Sequence, residues 1–433
     1  MPAAPPTYPG KRAPPKLDLR AFQSSSPTPA RRNFPRAVLD THIHLWTLDQ
    51  LTAGSVKWPT QEGGQPQLAG PHELEAYGAV VERGIKLVGG AKSEFRGVVF
   101  VQAEAEHDDD DVDGSKGGWD AALNEVDSVC TAALASKVPL LALVPWAPVH
   151  HGRAALALFQ SRLLALPSLQ ALAKRLGYSP VKSFRYLLQD SPPGFFQRDD
   201  FIDGLKWLGE NGYAFDMTLD VTHEETGRTR VLEDAIDAIE RVREGQEEGK
   251  QTVFILDHFA KPPLTADPSY PPAASLTAYI AALYQLALLP NVYLKLSALL
   301  DSADRETVAA AFAEFRSGEY RRKRKDGAYD RLRSRVGAVL EPAVEAFGEG
   351  RIMVGSDWPM FRACTLPPTS TSPSAAHCAS VDPAAESAAW AFEMQLYLDC
   401  LTGIGLEGDA LDALFEGNAR AAYALGGAAP AAT

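Results

Sequence analysis

The chain has 433 residues, of which 45 % are hydrophobic and 22 % are charged. These values are typical of a globular protein and exclude a collagen-like chain, a coiled coil and a globally disordered chain. No apolar run approaches the roughly 20 residues that span a bilayer, and the net charge of −13 argues against a nucleic-acid-binding surface. The four cysteines are widely spaced and form no CxxC pair, as expected in a reducing, cytoplasmic setting.

The two ends of the chain differ in composition from its body. Residues 1–36 are rich in proline and serine and carry seven basic residues against one acidic residue, which predicts a flexible or surface-draped tail. A mitochondrial targeting peptide is the alternative, but the prolines oppose the amphipathic helix that it needs. Residues 426–433 are predicted to form a short C-terminal tail.

From residue 37 onward, eight short runs rich in β-branched and aromatic residues alternate with helical patterns. The runs cover 37–43, 97–103, 140–146, 181–187, 214–219, 252–257, 292–297 and 352–356. The helical patterns cover 120–136, 153–175, 200–211, 231–245, 275–288, 303–316, 331–347 and 384–401. This α/β alternation predicts a single-domain (β/α)₈ TIM barrel over 37–425. A doubly wound open sheet is the alternative, although no GxGxxG follows the first run.

Residues that carry chemistry stand at the ends of the first and last runs. In such a barrel, catalytic groups collect at the carboxyl ends of the strands. Asp40, His42 and His44 alternate along the first run, which predicts that they share one face. Two imidazoles at this spacing can bind one divalent ion. Asp357 follows the eighth run and can bind a metal or take a proton from water.

The remaining runs also end in polar residues. These are Gln102, Glu104, Arg185, Asp216, Asp220, Asp257, His258, Lys261 and Lys295. Arg185 can clamp a carboxylate or a ring oxygen. Lys295 lies inside a run that should be buried, so we expect it to face the polar mouth of the barrel, where its charge finds partners.

With these residues placed, the chain resembles the amidohydrolase superfamily, in particular the amidohydrolase-2 group of sugar-lactone hydrolases and its fungal L-rhamnono-γ-lactonases. The matching motifs are DTHIHLW (40–46), VFVQAE (99–104), VKSFRYLLQD (181–190), ILDHFAKP (255–262), NVYLKLS (291–297), VGSDWP (354–359) and GNARAAY (417–423). The resemblance implies a distorted (β/α)₈ barrel. It also implies that His42, His44, His258 and Asp357 are the site residues of the superfamily.

The chain departs from the superfamily pattern in two places. Arg185 stands where binuclear members carry a bridging lysine, and the fifth strand ends without the usual histidine, since His223 lies three residues past Asp220. We therefore expect one divalent ion, with Zn²⁺ as the first choice, on His42, His44 and Asp357, completed by Glu104 or His258. The alternative is a metal-free site in which Arg185 and Lys261 stabilise the oxyanion.

The resemblance implies hydrolysis of an aldono-1,4- or 1,5-lactone, such as L-rhamnono-γ-lactone, in sugar catabolism. We expect Asp357 to act as general base with help from His258 and Arg185. The expected substrate-binding residues are Trp46, Gln102, Arg185, Lys261 and Lys295, with Trp46 stacking on the sugar. A metal-dependent decarboxylase of a small unsaturated acid and a non-catalytic relative are the alternatives. The expected partner is a small molecule, with no nucleic acid and no membrane, and a homo-oligomer stays open.

Overall fold

Eight parallel β-strands lie in the part of the chain that the computed structural model describes. They are Ala37–Ile43 (β1), Glu94–Val101 (β2), Leu140–Val144 (β3), Ser183–Leu187 (β4), Ala214–Thr218 (β5), Val253–Asp257 (β6), Val292–Leu296 (β7) and Ile352–Val354 (β8). The described residues are 33–61, 64–89, 92–189, 191–192, 194–222, 230–265, 273–322, 327–365 and 382–426. Each predicted strand is present, with ends that differ by at most three residues.

The strands close into a ring. Continuous pairing joins β1 to β3 and β4 to β8. Parallel bridges from Leu143 to Val181 and from Trp146 to Arg185 link β3 with β4. The ring closes where the His44 N–H donates to the Trp358 carbonyl over 2.8 Å, next to the bridge between Ile43 and Trp358. The predicted (β/α)₈ barrel is therefore confirmed.

Helices surround the barrel and connect its strands. They are Leu48–Thr52 (α1), Leu74–Leu87 (α2), Asp120–Ala135 (α3), Gly152–Leu164 (α4), Pro167–Leu176 (α5), Asp199–Glu210 (α6), Arg230–Arg243 (α7), Ala274–Ala287 (α8), Arg305–Ser317 (α9), Ala328–Phe347 (α10), Phe361–Thr365 (α11), Pro383–Gly403 (α12), Asp409–Asp412 (α13) and Asn418–Ala422 (α14). The helix predicted over 153–175 is two helices, because Pro167 starts a new one. The prediction missed α2, although its buried Leu74, Tyr77, Val81 and Ile85 follow a helical period.

The hydrophobic core has an outer and an inner layer. The outer layer packs the helices against the outer faces of the strands. The inner layer fills the barrel with Leu39, Val99, Ala142, Ile255 and Met353, and α14 adds residues that plug the barrel from below. Apolar side chains thus occupy the lower barrel, which leaves the carboxyl ends of the strands for polar groups.

No single helix in the described part of the chain is long and apolar enough to cross a membrane. Val149–Leu164 and Pro167–Leu176 pass that test together, but they are bent by 77°. Residues from 33 onward form one unit by their contacts. The predicted tail boundaries at residues 36 and 426 stay predictions.

The end of α14 yields a stability prediction. Ala424 has a φ of 46°, its N–H donates to the Ala421 carbonyl, and the Leu425 N–H donates to the Arg420 carbonyl over 2.9 Å. This is the helix-ending motif in which glycine is preferred at the left-handed position. We expect Ala424→Gly to raise the free energy of unfolding by about 1 kcal/mol, measured by urea denaturation.

The control is Ala421→Gly, which lies inside the same helix. We expect it to lower the free energy of unfolding by about 1 kcal/mol, because glycine is a poor helix former. A loss of stability in both variants would show that the left-handed residue is not strained.

Candidate active site

His42 and His44 from the end of β1 meet Asp357 from the end of β8 above the inner core, where these two strands close the ring. Asp357 Oδ1 lies 3.1 Å from His44 Nε2 and 3.4 Å from His42 Nε2. All three side chains are buried, and one donor atom from each lies within 4.8 Å of the others. The structure therefore brings together the pair of histidines and the aspartate that the sequence placed on different strands.

The hydrogen bonds of His44 define which ring nitrogen carries its proton. His44 Nδ1 lies 3.0 Å from the carbonyl oxygens of both Val101 and Gln102. A carbonyl only accepts, so Nδ1 carries a proton, and Nε2 faces Asp357 Oδ1 at hydrogen-bond distance. The imidazole nitrogen and the carboxylate oxygen are 3.1 Å apart, an arrangement that suits a shared proton or a shared metal cation.

Asp40 does not lie on the same face as the two histidines, contrary to the expectation from alternation. The pairing of β1 with β2 shifts register between Asp40 and Ile43, so the two-residue period breaks there. Asp40 points toward α2, where it accepts a hydrogen bond from Tyr77. It also accepts from the backbone N–H groups of His42 (3.1 Å) and Ser356 (2.9 Å). Asp40 therefore braces the ends of β1 and β8 from behind the site.

His258 approaches the same centre from β6. Its Nε2 lies 4.0 Å from Asp357 Oδ1, and its Nδ1 lies 2.9 Å from Ser297 Oγ. Its ring is 4.6 Å from that of His42, centroid to centroid. His258 therefore lies close to His42 and Asp357, as the sequence predicted.

The backbone at the strand ends adopts left-handed conformations in residues other than glycine. These are Glu104, His258, Phe259, Ala260, Lys261, Ala298 and Asp357, with φ between 51° and 56°. They follow β2, β6, β7 and β8, at the carboxyl end of the barrel. Such conformations cost on the order of 1–2 kcal/mol per residue and typically cluster at functional sites. These left-handed conformations direct the side chains of His258, Lys261 and Asp357 toward the cavity.

Lys295 lies below the site rather than in its mouth, which corrects the expectation from the sequence. The side chain has no exposed surface, and its Nζ pairs with Asp216 and lies 3.1 Å from both Asp257 Oδ1 and His42 Nδ1. Two carboxylates from neighbouring strands thus compensate the buried charge. Lys295 is not among the residues that line the cavity.

Arg185 extends from β4 to the cavity floor. Its Nε donates to Thr218 Oγ1 over 2.8 Å, and one terminal nitrogen donates to the Gln102 carbonyl over 3.2 Å. Its Nε also lies 3.4 Å from Asp257 Oδ2. These contacts hold the guanidinium in one position while it still borders the cavity.

The cavity above these residues has a volume of about 520 Å³. Its lining includes His44, Trp58, Gln61, Gln102, Glu104, Glu106, His107, Arg185, Leu187, Gln189, Thr218, His258, Lys261, Asp301, Asp357 and Met360. Lys261 donates to Gln189 over 3.1 Å and pairs with Asp220 over 3.2 Å. Glu104 interacts with Gln102, and within the described residues it is not part of the group of His42, His44 and Asp357 that could hold a metal ion.

The aromatic side chain at the cavity is Trp58 rather than Trp46. Trp46 is 1 % exposed, its indole N–H donates to the Gly70 carbonyl, and it does not line the cavity. Trp58 packs edge-on against Trp46 with ring centroids 5.5 Å apart, and it donates to the Ala103 carbonyl over 2.9 Å. The sequence analysis missed Trp58 because it lies in a loop, where no periodic pattern indicates its direction.

The electrostatic surroundings set the protonation states of the group. Burial lowers the pKa of the His42 imidazole well below its ordinary value, and the Lys295 charge lowers it further. Burial also lowers the pKa of His258. For Asp357, burial raises the pKa, but His258, His44 and His42 lower it more, so the net pKa lies below its usual range. At neutral pH the Asp357 carboxylate is thus ionised and the His42 and His258 imidazoles are neutral, the forms that bind metals.

Comparison with known proteins agrees with this fold. The sequence profile of the amidohydrolase-2 family matches residues 39–425, nearly the whole of the barrel. The chain therefore belongs to the amidohydrolase-2 family of hydrolases.

Individual relatives are distant. The chain is 23 % identical over 348 residues to the L-rhamnono-gamma-lactonase of Scheffersomyces stipitis, which covers 76 % of this chain and 86 % of that protein. It is 29 % identical over 182 residues to the L-fucono-1,5-lactonase of Burkholderia multivorans, covering 42 % and 49 %. A crystal structure of a Burkholderia multivorans amidohydrolase with bound zinc has the same fold, with a TM-score of 0.56 and 21 % identity over 90 % of this chain and 100 % of that chain.

Glu125 on α3 supports the end of β2 and yields a pH prediction. It is 1 % exposed, its Oε1 accepts from the Ala103 N–H over 2.9 Å, and burial raises its pKa from 4.5 to about 8. The folded protein therefore binds a proton that the unfolded chain releases, so the contribution of Glu125 to stability declines as the pH rises from 4.5 to about 8. We expect Glu125→Gln to raise the melting temperature more at pH 8 than at pH 5.

Glu349→Gln at an exposed position is the matched control, and it should shift the melting temperature equally at both pH values. An effect of Glu125→Gln that is the same at pH 5 and pH 8 would show that Glu125 is ionised throughout this range.

Proposed function

We propose that this amidohydrolase is a lactonase that opens a neutral sugar lactone, such as L-rhamnono-γ-lactone, to the aldonic acid. The observation that carries this proposal is the meeting of His44 Nε2 and Asp357 Oδ1 over 3.1 Å at the floor of a polar cavity. The names of the two relatives, both sugar lactonases, support the substrate class. The cavity volume of about 520 Å³ is sufficient for a monosaccharide lactone.

The donor atoms suit one divalent ion, with Zn²⁺ as the first choice. His44 Nε2 lies 3.1 Å from Asp357 Oδ1, and the buried His42 Nε2 makes no hydrogen bond within the described residues. Three such ligands from protein are typical of catalytic zinc sites. When bound, zinc supplies Lewis-acid polarisation and a lower pKa for water. His42, His44 and Asp357 would hold it.

Asp357 is the proposed general base. Its carboxylate is ionised at neutral pH and borders the cavity, so it can take a proton from the attacking water. The water oxygen then forms a bond to the lactone carbonyl carbon, and the carbonyl oxygen gains negative charge. The Arg185 guanidinium on the cavity floor can stabilise that charge through its N–H groups.

Ring opening completes the reaction. The bond from the carbonyl carbon to the ring oxygen breaks, and the leaving alkoxide takes the proton that Asp357 received. His258 lies 4.0 Å from Asp357 and lines the cavity, so it can help to position the protonated Asp357 carboxyl group or the leaving oxygen. Gln102, Lys261 and Trp58 line the cavity, and we propose that they bind the hydroxyl groups and the apolar face of a sugar.

The charges of the cavity favour an uncharged substrate. Four carboxylates in its lining, Glu104, Glu106, Asp301 and Asp357, face two cations, Arg185 and Lys261. The proposed divalent ion would bring these charges close to balance, so the lining has no excess of positive charge that would attract an anion. We therefore propose a neutral lactone rather than a dicarboxylate or a phosphorylated one.

The decarboxylase alternative has less support. We would expect such a decarboxylase to have a histidine at the end of the fifth strand. In this chain β5 brings Asp216 and Thr218 to the site region instead. His223, the next histidine along the chain, lies outside the described residues.

A panel of aldono-1,4- and 1,5-lactones in a pH-indicator assay tests the proposed function. We expect L-rhamnono-γ-lactone or a similar neutral lactone to be opened, and Asp357→Asn to lower kcat at least about 100-fold because the base is lost. Asp409→Asn, far out on the surface, should retain full activity, and melting curves should show that each variant is folded. The proposal fails if no neutral lactone is opened faster than in buffer, or if Asp357→Asn turns over normally.

Metal removal provides a separate prediction. We expect the purified protein to hold about one zinc ion per chain, and chelation to abolish lactone hydrolysis that added Zn²⁺ or Mn²⁺ restores. His42→Ala should lose the ion, since it removes one of three ligands. Full activity with only traces of metal by elemental analysis would instead favour a metal-free mechanism in which Arg185 and Lys261 stabilise the oxyanion.

A further inference from the structure

A lysine ammonium is buried next to the proposed metal ligands, on β7. Lys295 has no exposed surface, and its Nζ lies 3.1 Å from His42 Nδ1 and 3.1 Å from Asp257 Oδ1. It also donates a hydrogen bond to the Asp216 carboxylate. The Asp216 and Asp257 carboxylates therefore hold this ammonium as acceptors. His42 Nδ1, which carries the proton of the ring when Nε2 binds a metal, lies beside it.

Two of these neighbours belong to a second group of side chains that could hold a cation. In that group, one donor atom from each of His42, Asp257 and His258 lies within 4.8 Å of the others. A divalent ion there would bind the imidazole and the carboxylate at about 2.0–2.2 Å. It would then lie a few ångströms from the Lys295 ammonium in a buried space, where like charges repel strongly.

The surrounding hydrogen bonds suit a single internal cation. Asp216 accepts further hydrogen bonds from Ser183 Oγ (2.6 Å) and from the Tyr423 hydroxyl (2.7 Å). Asp257 accepts one from Thr218 Oγ1 over 2.7 Å. Lys295 therefore supplies positive charge to both carboxylates. Of the three proposed metal ligands, His42, His44 and Asp357, it lies next to His42.

We propose that the Lys295 ammonium takes the place of a second metal ion in this barrel. The site then holds one divalent cation at His42, His44 and Asp357, and none at His42, Asp257 and His258. The inference rests on the one-ion site proposed above. It makes Lys295 a residue that determines metal stoichiometry rather than one that binds substrate.

The test compares the zinc content of the wild type and Lys295→Met, by zinc titration in a calorimeter and by elemental analysis after dialysis. Whether the wild type holds one ion or none, we expect the variant to hold one more per chain. Equal zinc content in the two proteins would overturn the proposal, and so would two tightly bound ions in the wild type. The wild-type total tests the one-ion site, and the difference between the proteins tests Lys295.

Further variants locate the additional ion. The double variant Lys295→Met/Asp257→Asn should lose it, and an ion that persists there would contradict the proposal. Lys261→Met removes a lysine that lines the cavity and pairs with Asp220, so its zinc content should equal that of the wild type. Lys295→Gln retains an N–H donor for Asp216 and gives a second neutral variant if the methionine variant does not fold.

Discussion

The site depends on the mutual neutralisation of charges buried at the carboxyl end of the barrel. Lys295 pairs with Asp216 and Asp257, and Arg185 lies 3.4 Å from Asp257, all of them nearly or fully inaccessible to water. An unpaired charge at such a depth would cost several kcal/mol, so each member needs the others. Because these residues come from strands β4 to β7, the charge pairs also fix the relative positions of these strands below the site.

Backbone strain and bracing contacts complete this arrangement. The left-handed residues after β6 and β8 place His258 and Asp357 over the barrel axis, in conformations that an isolated chain would avoid. Asp40 and Glu125 hold the neighbouring strand ends from outside through backbone N–H groups. The site is thus held by interactions behind it, and the cavity side of the carboxylate stays open for water and substrate.

The division of the barrel into two levels separates stability from chemistry. The lower level is apolar and is plugged by α14, whose neighbour Tyr423 also donates to Asp216. The upper level is polar and carries the ligands and the cavity. This division explains why a family with one barrel can vary its substrate, since changes in the upper loops leave the lower core intact.

The sequence by itself determined the class of fold and the central members of the site. The alternating runs predicted eight parallel strands because buried strands and amphipathic helices have different periods, and the His42–His44 pair and Asp357 stood at strand ends where catalytic groups collect. Three features depended on the tertiary structure. They are the face of β1 from which Asp40 projects, the complete burial of Lys295, and the presence of Trp58 rather than Trp46 in the lining of the cavity. A register shift breaks the two-residue alternation, the depth of a strand residue depends on the strands beside it, and a loop side chain is directed by packing against distant residues. None of these is encoded in local spacing.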